Sequence, residues 1–548
     1  MNLGKKKLWN LLVVIVCSLA VVLSGCTSGN GGPSSNAGSQ SEESGNANAG
    51  TGSVGTGLPD AGDGGPKRGG TLRVAIPNDA NTLGYAPDMR FTYDFFAAGP
   101  ALETLGQFDD KAVMQPFLAE SWESDPDNLR ITIKLRPNVK FHDGTDFDAA
   151  AAKWNIDLFI EAKRSELSGL ASVEVVDPLT LQLNLSEWNS SLLDALCTFV
   201  YMISPTAFEQ NGKDWAVRNP VGTGPFVFES WDKDVGAKFT RFDQYWQEGK
   251  PYLDAIEFVV INDQMSAMAA FQNKEVDIYA LTFPQVVNDL QHVGEVILLR
   301  TGNGVSGTGL TFNSKDPNSP FHDVRVRQAV AHAIDVKSIL DALFHGFVIQ
   351  TNQWGVPGIW AHNADVGFTY DPEKAKQLLA EVGYPNGFST KLTIRTTEFS
   401  DLFTAVQSYL EAVGIKVEIE VVDLAKFNEM VGTQGTWDGM IQYNYRGDSD
   451  LSTYMPRNFG TNGVLYAKQF AIPDYFDQMF AELKAARDHE TRTRLAKELQ
   501  YEVYQQHVLA IPMFAGMSPA VKHSHVKDEG INIGYGSVWE PQNAWLDQ

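Results

Sequence analysis

The 548-residue sequence has few cysteines and few basic residues, and it has a single long apolar run. Each of the two shortages excludes a class of protein. Its three cysteines, Cys17, Cys26 and Cys197, are too few for a disulfide framework and lack C-x-x-C spacing for zinc or redox chemistry. Lys and Arg number 43 against 67 Asp and Glu, so a net charge of −24 would be repelled by phosphate backbones. Nucleic acid is therefore excluded as a partner.

Common catalytic signatures are also missing. The sequence has no Walker lysine loop, no H-E-x-x-H and no G-x-S-x-G. A G-x-G-x-x-G at Gly302, Gly304 and Gly307 precedes strand and loop residues, whereas a dinucleotide site needs a helix there. His523 and His525 alternate as strand ligands could, but without a third ligand type we expect an exposed strand edge. We predict no cofactor, no metal and no enzymatic activity.

The N-terminus has the features of an export signal. Three lysines precede an apolar run over residues 8–23, which is shorter than the ~20 residues of a comfortable membrane span. The run ends in L-S-G-C, which resembles a bacterial lipobox and implies a lipoprotein signal peptide over residues 1–25 with lipid on Cys26. Residues 26–66 continue as a Gly/Ser-rich stretch without aromatics, which predicts a flexible tether. An uncleaved membrane anchor is the alternative.

From Lys67 onward the sequence predicts a mixed α/β body. Apolar and polar residues alternate over 71–76 and 129–135, and again on both sides of Asp177-Pro178, which favours two strands and a hairpin.

The second half of the chain adds helices. Asp371 and Pro372 suit a helix start, and the strand, helix and strand pattern over residues 391–422 predicts a parallel βαβ unit. Longer helical patterns cover residues 324–344 and 475–506.

Several ordered segments resemble one family, the extracellular solute-binding proteins of family 5, which bind dipeptides, oligopeptides or nickel for ABC importers. The longest is PFLAESWESDPDNLRITIKLRPNVKFHDGTDFDA from Pro116. NPVGTGPFVFESW from Asn219, FQNKEVDI from Phe271 and LTFNSKDPNSPFHDVRVRQAVAHAID from Leu310 are similar to further family segments. The resemblance implies an α/β periplasmic-binding-protein type II fold, with two main lobes joined by a hinge and an inserted β-rich third lobe.

The resemblance also implies lobe boundaries and a role. Lobe I is expected at residues 67–101, 222–306 and 511–548, the inserted lobe II at 102–221, and lobe III at 307–510. A peptide or similar organic solute would bind between lobes I and III and favour their closure. The expected protein is a monomer, held by its lipid at the outer face of the cell membrane, which passes solute to an ABC permease and ATPase.

Three alternative functions remain open at this point. A surface receptor of the same fold could sense a peptide without feeding uptake. A secreted hydrolase would use some of the many carboxylates, although any pair of them is uninformative without geometry. A nickel-chelate binder is disfavoured because the sequence has no convincing histidine cluster.

Ligand-binding residues follow from the resemblance and from the types of side chain present. Peptide-binding relatives carry an aromatic residue, two residues, then Asp-Tyr-x-Asp-Pro, and the first Asp holds the ligand ammonium. Here Gly447 falls at that position, so we expect Asp448 to pair with an ammonium and Arg446 with a carboxylate. The alternative to a charged binding site at these residues is a solvated acidic loop. For the GTG segment, Gly222-Thr223-Gly224, we expect contact with solute, and the alternative is a simple tight turn. The full set of candidates is Thr82, Tyr85, Gly222, Thr223, Gly224, Trp354, Tyr443, Tyr445, Arg446, Asp448 and Asp450.

Overall fold

The chain divides into two units, Met1–Gly62 and Asp63–Gln548, and all described residues belong to the second. A computed structural model describes residues 65–90, 92–298, 305–395, 399–447, 451–516, 519–531 and 539–548. Within these ranges, no helix combines the length and apolar character needed to cross a bilayer. The expected signal peptide, Cys26 and tether lie outside the described residues.

Short strands form the sheets of the protein, as the alternating patterns predict. In chain order they are β1 (Thr71–Ile76), β2 (Gly106–Phe108), β3 (Met114–Pro116), β4 (Ala119–Asp125), β5 (Arg130–Leu135), β6 (Leu170–Asp177), β7 (Thr180–Leu185), β8 (Phe226–Asp232), β9 (Gly236–Arg241), β10 (Ala255–Val260), β11 (Ile278–Tyr279), β12 (Glu295–Ile297), β13 (Val305–Phe312), β14 (Ile349–Gln350), β15 (Phe388–Arg395), β16 (Ile415–Val422), β17 (Met440–Gly447), β18 (Ala510–Ala515), β19 (Ala520–Lys522), β20 (Val526–Lys527) and β21 (Trp545–Leu546).

Helices pack on the sheets and are capped mainly by aspartates. In chain order they are α1 (Thr92–Ala98), α2 (Ala149–Glu161), α3 (Leu192–Phe199), α4 (Pro205–Asn211), α5 (Lys213–Ala216), α6 (Gln264–Gln272), α7 (Pro284–Leu290), α8 (Val324–Ala333), α9 (Val336–Phe344), α10 (Pro372–Glu381), α11 (Ser400–Glu411), α12 (Leu424–Glu429), α13 (Leu451–Phe459), α14 (Phe476–Lys484) and α15 (His489–Gln500).

A seven-stranded sheet forms the body that we call lobe I, with strand order β12-β19-β11-β1-β10-β9-β8. Its central strand β1 runs parallel to β10 and β11 and antiparallel pairs flank them. The strands come from three separate parts of the chain, which the periodicity of the sequence alone does not reveal.

The insert between these parts is the β-rich body predicted after the first segment of lobe I. Its main sheet has the order β4-β5-β7-β6 and is antiparallel throughout. The predicted hairpin is confirmed, since β6 and β7 pair on either side of Pro178. The buried residues of the insert and of lobe I form one hydrophobic cluster, which includes both Leu72 of β1 and Ile131 of β5. The insert and lobe I therefore share a core.

A six-stranded sheet forms lobe III, with the order β14-β18-β13-β17-β15-β16. The predicted βαβ unit is confirmed, because β15 and β16 are parallel and α11 connects them. Two expected boundaries differ from the strand pairing: β13 begins at Val305 and β18 pairs with it, so residues 305–306 and 511–515 lie in the lobe III sheet and the return to lobe I follows Ala515. Among the described strands, the chain passes between the two large sheets twice, between β12 and β13 and between β18 and β19.

Each of the two long helical patterns is divided by an aspartate. The first ends at Ala333 and resumes at Val336, where the Asp335 carboxylate accepts a hydrogen bond from the Ser338 backbone N–H. The second is interrupted before α15, where Asp488 caps the new helix in the same way. A side-chain oxygen at this position satisfies an otherwise unpaired N–H of the first turn, so each aspartate starts a new helix.

Candidate ligand-binding site

An aromatic group on one face of the lobe III sheet brings together three of the predicted site residues. Tyr443 and Tyr445 alternate along β17, so they point to the same face, and their rings stack 5.4 Å apart. Trp354 lies 5.6 Å from Tyr445, and Tyr466 lies 5.3 Å from Tyr443. We call these four residues the aromatic face; all are buried.

Two members of the aromatic face keep unused hydrogen-bonding atoms. The Trp354 Nε1 is buried without a hydrogen-bond partner among the described residues, and the Tyr443 hydroxyl, which lies beside the Tyr504 hydroxyl, forms no hydrogen bond of normal geometry with a described residue. Tyr445 differs, because its hydroxyl donates to the Phe514 carbonyl at 3.1 Å. Burial, together with the neighbouring Tyr504, raises the pKa of Tyr443 well above its usual value, so its hydroxyl stays protonated. Unpaired buried donors cost free energy, so this face is suited to a polar partner.

The GTG segment lies where lobe I meets the insert. A side chain at Gly222 or Gly224 would collide with the Ala101 backbone, because a Cβ there would lie 2.2 Å from its carbonyl oxygen or 2.6 Å from its carbonyl carbon. Thr223 is fully buried, and its hydroxyl donates to the Glu103 carboxylate at 2.8 Å. The two glycines thus permit close packing of two backbones, and contact with solute stays a prediction.

Two buried ionisable side chains, Glu103 and His142, form hydrogen bonds to the GTG segment. Glu103 also accepts hydrogen bonds from the Tyr245 hydroxyl at 2.7 Å and the Trp246 indole at 3.0 Å. Burial raises the pKa of Glu103 to about 7, although the three donors oppose the rise. His142 reaches the segment from the insert, where its Nε2 donates to the Gly224 carbonyl at 2.9 Å. Burial lowers the pKa of His142 to about 4, so the ring is neutral at physiological pH.

The loop after β1 forms a third, separate group. Thr82 is buried, and its hydroxyl donates to the Val217 carbonyl at 3.2 Å. The Tyr85 ring stacks on Phe208 at 5.8 Å and lies under the Lys213 ammonium at 4.5 Å. Both side chains therefore pack against the insert, and their predicted contact with solute stays untested.

The remaining site predictions fall largely beyond the described residues. Arg446 contributes its backbone to β17, opposite Ser306 on β13. Asp448 and Asp450 follow β17 and lie outside the described residues, so the proposed charge partners of the solute stay predictions. Gly302 and Gly304 also lie outside them, while Gly307 is on strand β13, in agreement with the predicted absence of a dinucleotide helix at that glycine.

The expected exposed edge at the two alternating histidines is wrong. His523 is buried, stacks on Phe271 at 4.1 Å, and its Nε2 donates to the Phe271 carbonyl. His525 stacks on His523 at 5.8 Å and bonds the Asp277 carboxylate at 2.9 Å. The two imidazole rings therefore have structural roles, in stacking and in hydrogen bonding. In the described ranges, no three His, Cys, Asp or Glu side chains are grouped as metal ligands.

Cys197 is buried, as expected for an inert thiol. Burial raises its pKa, so it stays protonated and unreactive.

An extensive polar interface joins the insert to lobe III, and no sequence pattern indicated it. The Arg492 guanidinium pairs with the Asp194 carboxylate at 2.6 Å, and each side chain is only 10% exposed. The hydroxyls of Ser191 and Ser452 lie 2.6 Å apart beside this pair. Farther out, the Trp188 indole donates to a lobe III carbonyl at 2.8 Å. These contacts join the insert to lobe III.

Comparison with known proteins identifies the family. Residues 113–465 match the family described as bacterial extracellular solute-binding proteins, family 5 Middle. The chain belongs to this family. Glutathione-binding protein GsiB of Escherichia coli O1:K1 / APEC is 29% identical over 454 residues, which cover 80% of this chain and 86% of GsiB. GsiB of Salmonella paratyphi A is 30% identical over 457 residues, which again cover 80% of this chain and 86% of GsiB.

Two solved structures confirm the fold. The Helicobacter pylori ABC transporter-associated periplasmic binding protein DppA, in complex with peptide STSA, has a TM-score of 0.67 at 24% identity and covers 88% of this chain and 99% of its own. NikA from Brucella suis, in complex with Fe(III)-EDTA, has a TM-score of 0.73 at 23% identity. The match covers 86% of this chain and 99% of the NikA chain. The protein therefore has the periplasmic-binding-protein type II fold, and its family membership makes it a solute-binding protein.

Proposed function

We propose that this protein captures a peptide or a similar organic solute between lobe I and lobe III and passes it to an ABC permease and ATPase. The observation that carries the proposal is the aromatic face of lobe III, a buried group of rings that includes the Trp354 indole N–H without a hydrogen-bond partner among the described residues. Solute sites in proteins combine such apolar walls with a few polar groups. The relatives support this class of solute, since they include a glutathione-binding protein and a protein solved with a tetrapeptide.

Lobe closure supplies the signal for transfer. We assign lobe I to residues 67–101, 222–304 and 516–548, the insert to 102–221, and lobe III to 305–515, with two expected boundaries moved by the pairing of β13 and β18. Two chain crossings leave the lobes free to rotate about a hinge. A solute that contacts both lobes shifts the population toward the closed form in proportion to its preference for that form. The permease then selects the closed, loaded protein, without covalent chemistry.

A direct test identifies the solute. Native mass spectrometry of the purified protein should show a retained small molecule, and calorimetry with two- to five-residue peptides should give saturable binding that disappears when competing peptide is added. Intact peptide recovered after incubation supports binding without turnover. Recovery of cleaved peptide would favour the hydrolase, and no binding to any peptide would overturn the proposed solute class.

We further propose that the protein works as a monomer, anchored by lipid on Cys26 and held off the membrane by its tether. Replacing Cys26 with Ser removes the acylated thiol, so the expected result is release of the protein from the membrane fraction. Fractionation followed by immunoblotting measures this, with Cys197→Ser as the control because that thiol is buried and distant in sequence. Continued membrane association of Cys26→Ser would contradict the lipid anchor.

A further inference from the structure

Gly307, the third glycine of the G-x-G-x-x-G pattern, lies under an aromatic ring of the neighbouring strand. On β13 it pairs with Tyr445 of β17 on one side and with Ala515 of β18 on the other. A Cβ added to Gly307 would lie no more than 2.5 Å from three atoms of the Tyr445 ring. The ring therefore occupies the space that a side chain at residue 307 would fill, and only glycine leaves that space free.

Gly309, two residues further along β13, is a glycine for a different reason. A Cβ there would meet backbone atoms of β18, with the Pro512 Cα at 2.8 Å and the Ile511 carbonyl carbon at 2.9 Å. The register between β13 and β18 also shifts at this glycine, and strand glycines commonly accompany such irregularities. Gly309 thus makes room for a backbone, whereas Gly307 makes room for one side chain.

The Tyr445 ring is held in its place by three contacts. It stacks on Tyr443 at 5.4 Å and lies 5.6 Å from Trp354. Its hydroxyl reaches past β13 and donates to the Phe514 carbonyl of β18 at 3.1 Å. Because the ring is buried, a methyl group at residue 307 would displace it against close-packed neighbours, and Tyr443 and Trp354 would have to shift with it.

The covered glycine lies where the chain enters and leaves lobe III. Strand β13 begins at Val305, two residues before Gly307, and follows the passage from lobe I. Strand β18 ends at Ala515, the partner of Gly307, and precedes the passage back to lobe I. Tyr445 therefore connects the aromatic face to both strands through which lobe III is joined to lobe I.

We propose that Gly307 is a positioning residue of the solute site. Its missing side chain lets Tyr445 lie across β13, where the ring supports Tyr443 and Trp354 and fixes the aromatic face relative to the two strands at the hinge. Side chains that bind a ligand must be held within about 0.5 Å of their working positions. A side chain at residue 307 should therefore weaken binding through Tyr445, without touching the solute. This inference rests on the proposed function, in which the aromatic face contacts the solute.

A double-mutant cycle on peptide affinity tests this role. The probe is the two- to five-residue peptide that the wild type binds most tightly, and calorimetry measures its affinity for the folded variants. Gly307→Ala should weaken binding by at least about tenfold. In the Tyr445→Ala background, where no ring is left to displace, the same substitution should change the affinity by less than about threefold. Equal effects in the two backgrounds, or an unchanged affinity in folded Gly307→Ala, would overturn the proposal.

Gly309→Ala is the matched control on the same strand. Because its Cβ would meet the backbone of β18, any change that it causes in affinity or Tm should be the same with and without the Tyr445 ring. If its effect also disappears in the Tyr445→Ala background, the coupling is not specific to Gly307 and the assignment fails.

A second variant keeps the proposal testable if Gly307→Ala does not fold. Tyr445→Phe keeps the ring but removes its hydrogen bond to Phe514, so the ring is held less firmly over Gly307. Peptide binding should weaken by about threefold or more. An unchanged affinity would show that the position of the ring does not matter to the site, which overturns the proposal.

Failure of the peptide function gives a different result. If the wild type binds no peptide, the proposed solute class is wrong, and the small molecule retained in native mass spectrometry becomes the probe. Gly307→Ala should then retain less of that molecule than the wild type does, and equal retention would overturn the positioning role as well. A wild type that neither binds peptide nor retains a small molecule would overturn both proposals.

Discussion

At the scale of the residue, Glu103 makes the stability of the protein depend on pH. Its carboxyl has a pKa of about 7 in the folded protein against an ordinary value of 4.5. A raised pKa means that the folded state binds the proton more tightly, so the stabilising contribution is complete below pH 4.5 and is lost as the pH rises to about 7. Glu103→Gln cannot ionise and should therefore lose this dependence, which is worth up to about 3 kcal/mol.

Urea unfolding at about pH 5 and about pH 8 measures this effect. Other groups, such as His142, titrate in both proteins, so only the difference between wild type and variant reports Glu103. Glu229→Gln is the control, because Glu229 is exposed and paired with Lys238. An unfolding free energy that changes equally with pH in wild type and Glu103→Gln would show that Glu103 does not titrate in this range.

At the scale of the element, the division of the helical pattern over residues 324–344 gives a second prediction. Asp335 caps α9 by accepting from the Ser338 backbone N–H at 3.0 Å and its hydroxyl at 2.7 Å. Asp335→Ala should lower the free energy of unfolding by about 1 kcal/mol. Asp341→Ala on the same helix removes only an exposed ion pair with Lys337. It should lower the free energy of unfolding by only about 0.2–0.5 kcal/mol. Equal losses in urea unfolding would contradict the capping role.

Local elements could be predicted from the sequence because their causes are local. The hairpin at Pro178 and the helix at Pro372 depend on alternation, a cap and a turn residue within a short window. Asp335 also carried a readable capping signal, which the continuous apolar periodicity obscured. The family resemblance supplied the lobe order, which no local pattern contains.

The rest of the site depends on contacts between distant residues. The burial of His523 comes from Phe271, which lies in another part of lobe I. The position of β18 in lobe III depends on pairing with β13. Residue type and spacing carry no information about these arrangements.

At the scale of the whole molecule, the cores indicate which parts move together. Lobe I and the insert share one hydrophobic cluster, whereas the clusters on the two faces of the lobe III sheet take in just two described buried residues of the insert, Phe108 and Ala112. We expect lobe I and the insert to rotate as one body against lobe III. The insert then does more than enlarge lobe I, because closure presses it against lobe III at the interface that contains Asp194 and Arg492.

We expect that interface to set how readily the lobes open. In Asp194→Asn, Arg492 keeps its charge at a site only 10% exposed but loses its carboxylate partner. Leaving such a charge unpaired is costly, and opening relieves the cost by returning the guanidinium to water. The variant should therefore shift toward the open form, with a larger radius of gyration in X-ray scattering and an apparent peptide affinity weakened by about 10-fold or more.

An exposed pair across the same interface provides the control. Lys484 and Glu187 pair at 2.5 Å, but the Glu187 side chain is 58% exposed, so Glu187→Gln should change the affinity by less than about threefold. If Asp194→Asn scatters and binds like the wild type, the buried pair does not contribute to closure. If both variants open equally, general loss of negative charge at the interface, rather than the unpaired Arg492, controls the equilibrium. Restoration of closure in the double variant Asp194→Asn with Arg492→Gln, where no charge remains buried, would assign the effect to that guanidinium.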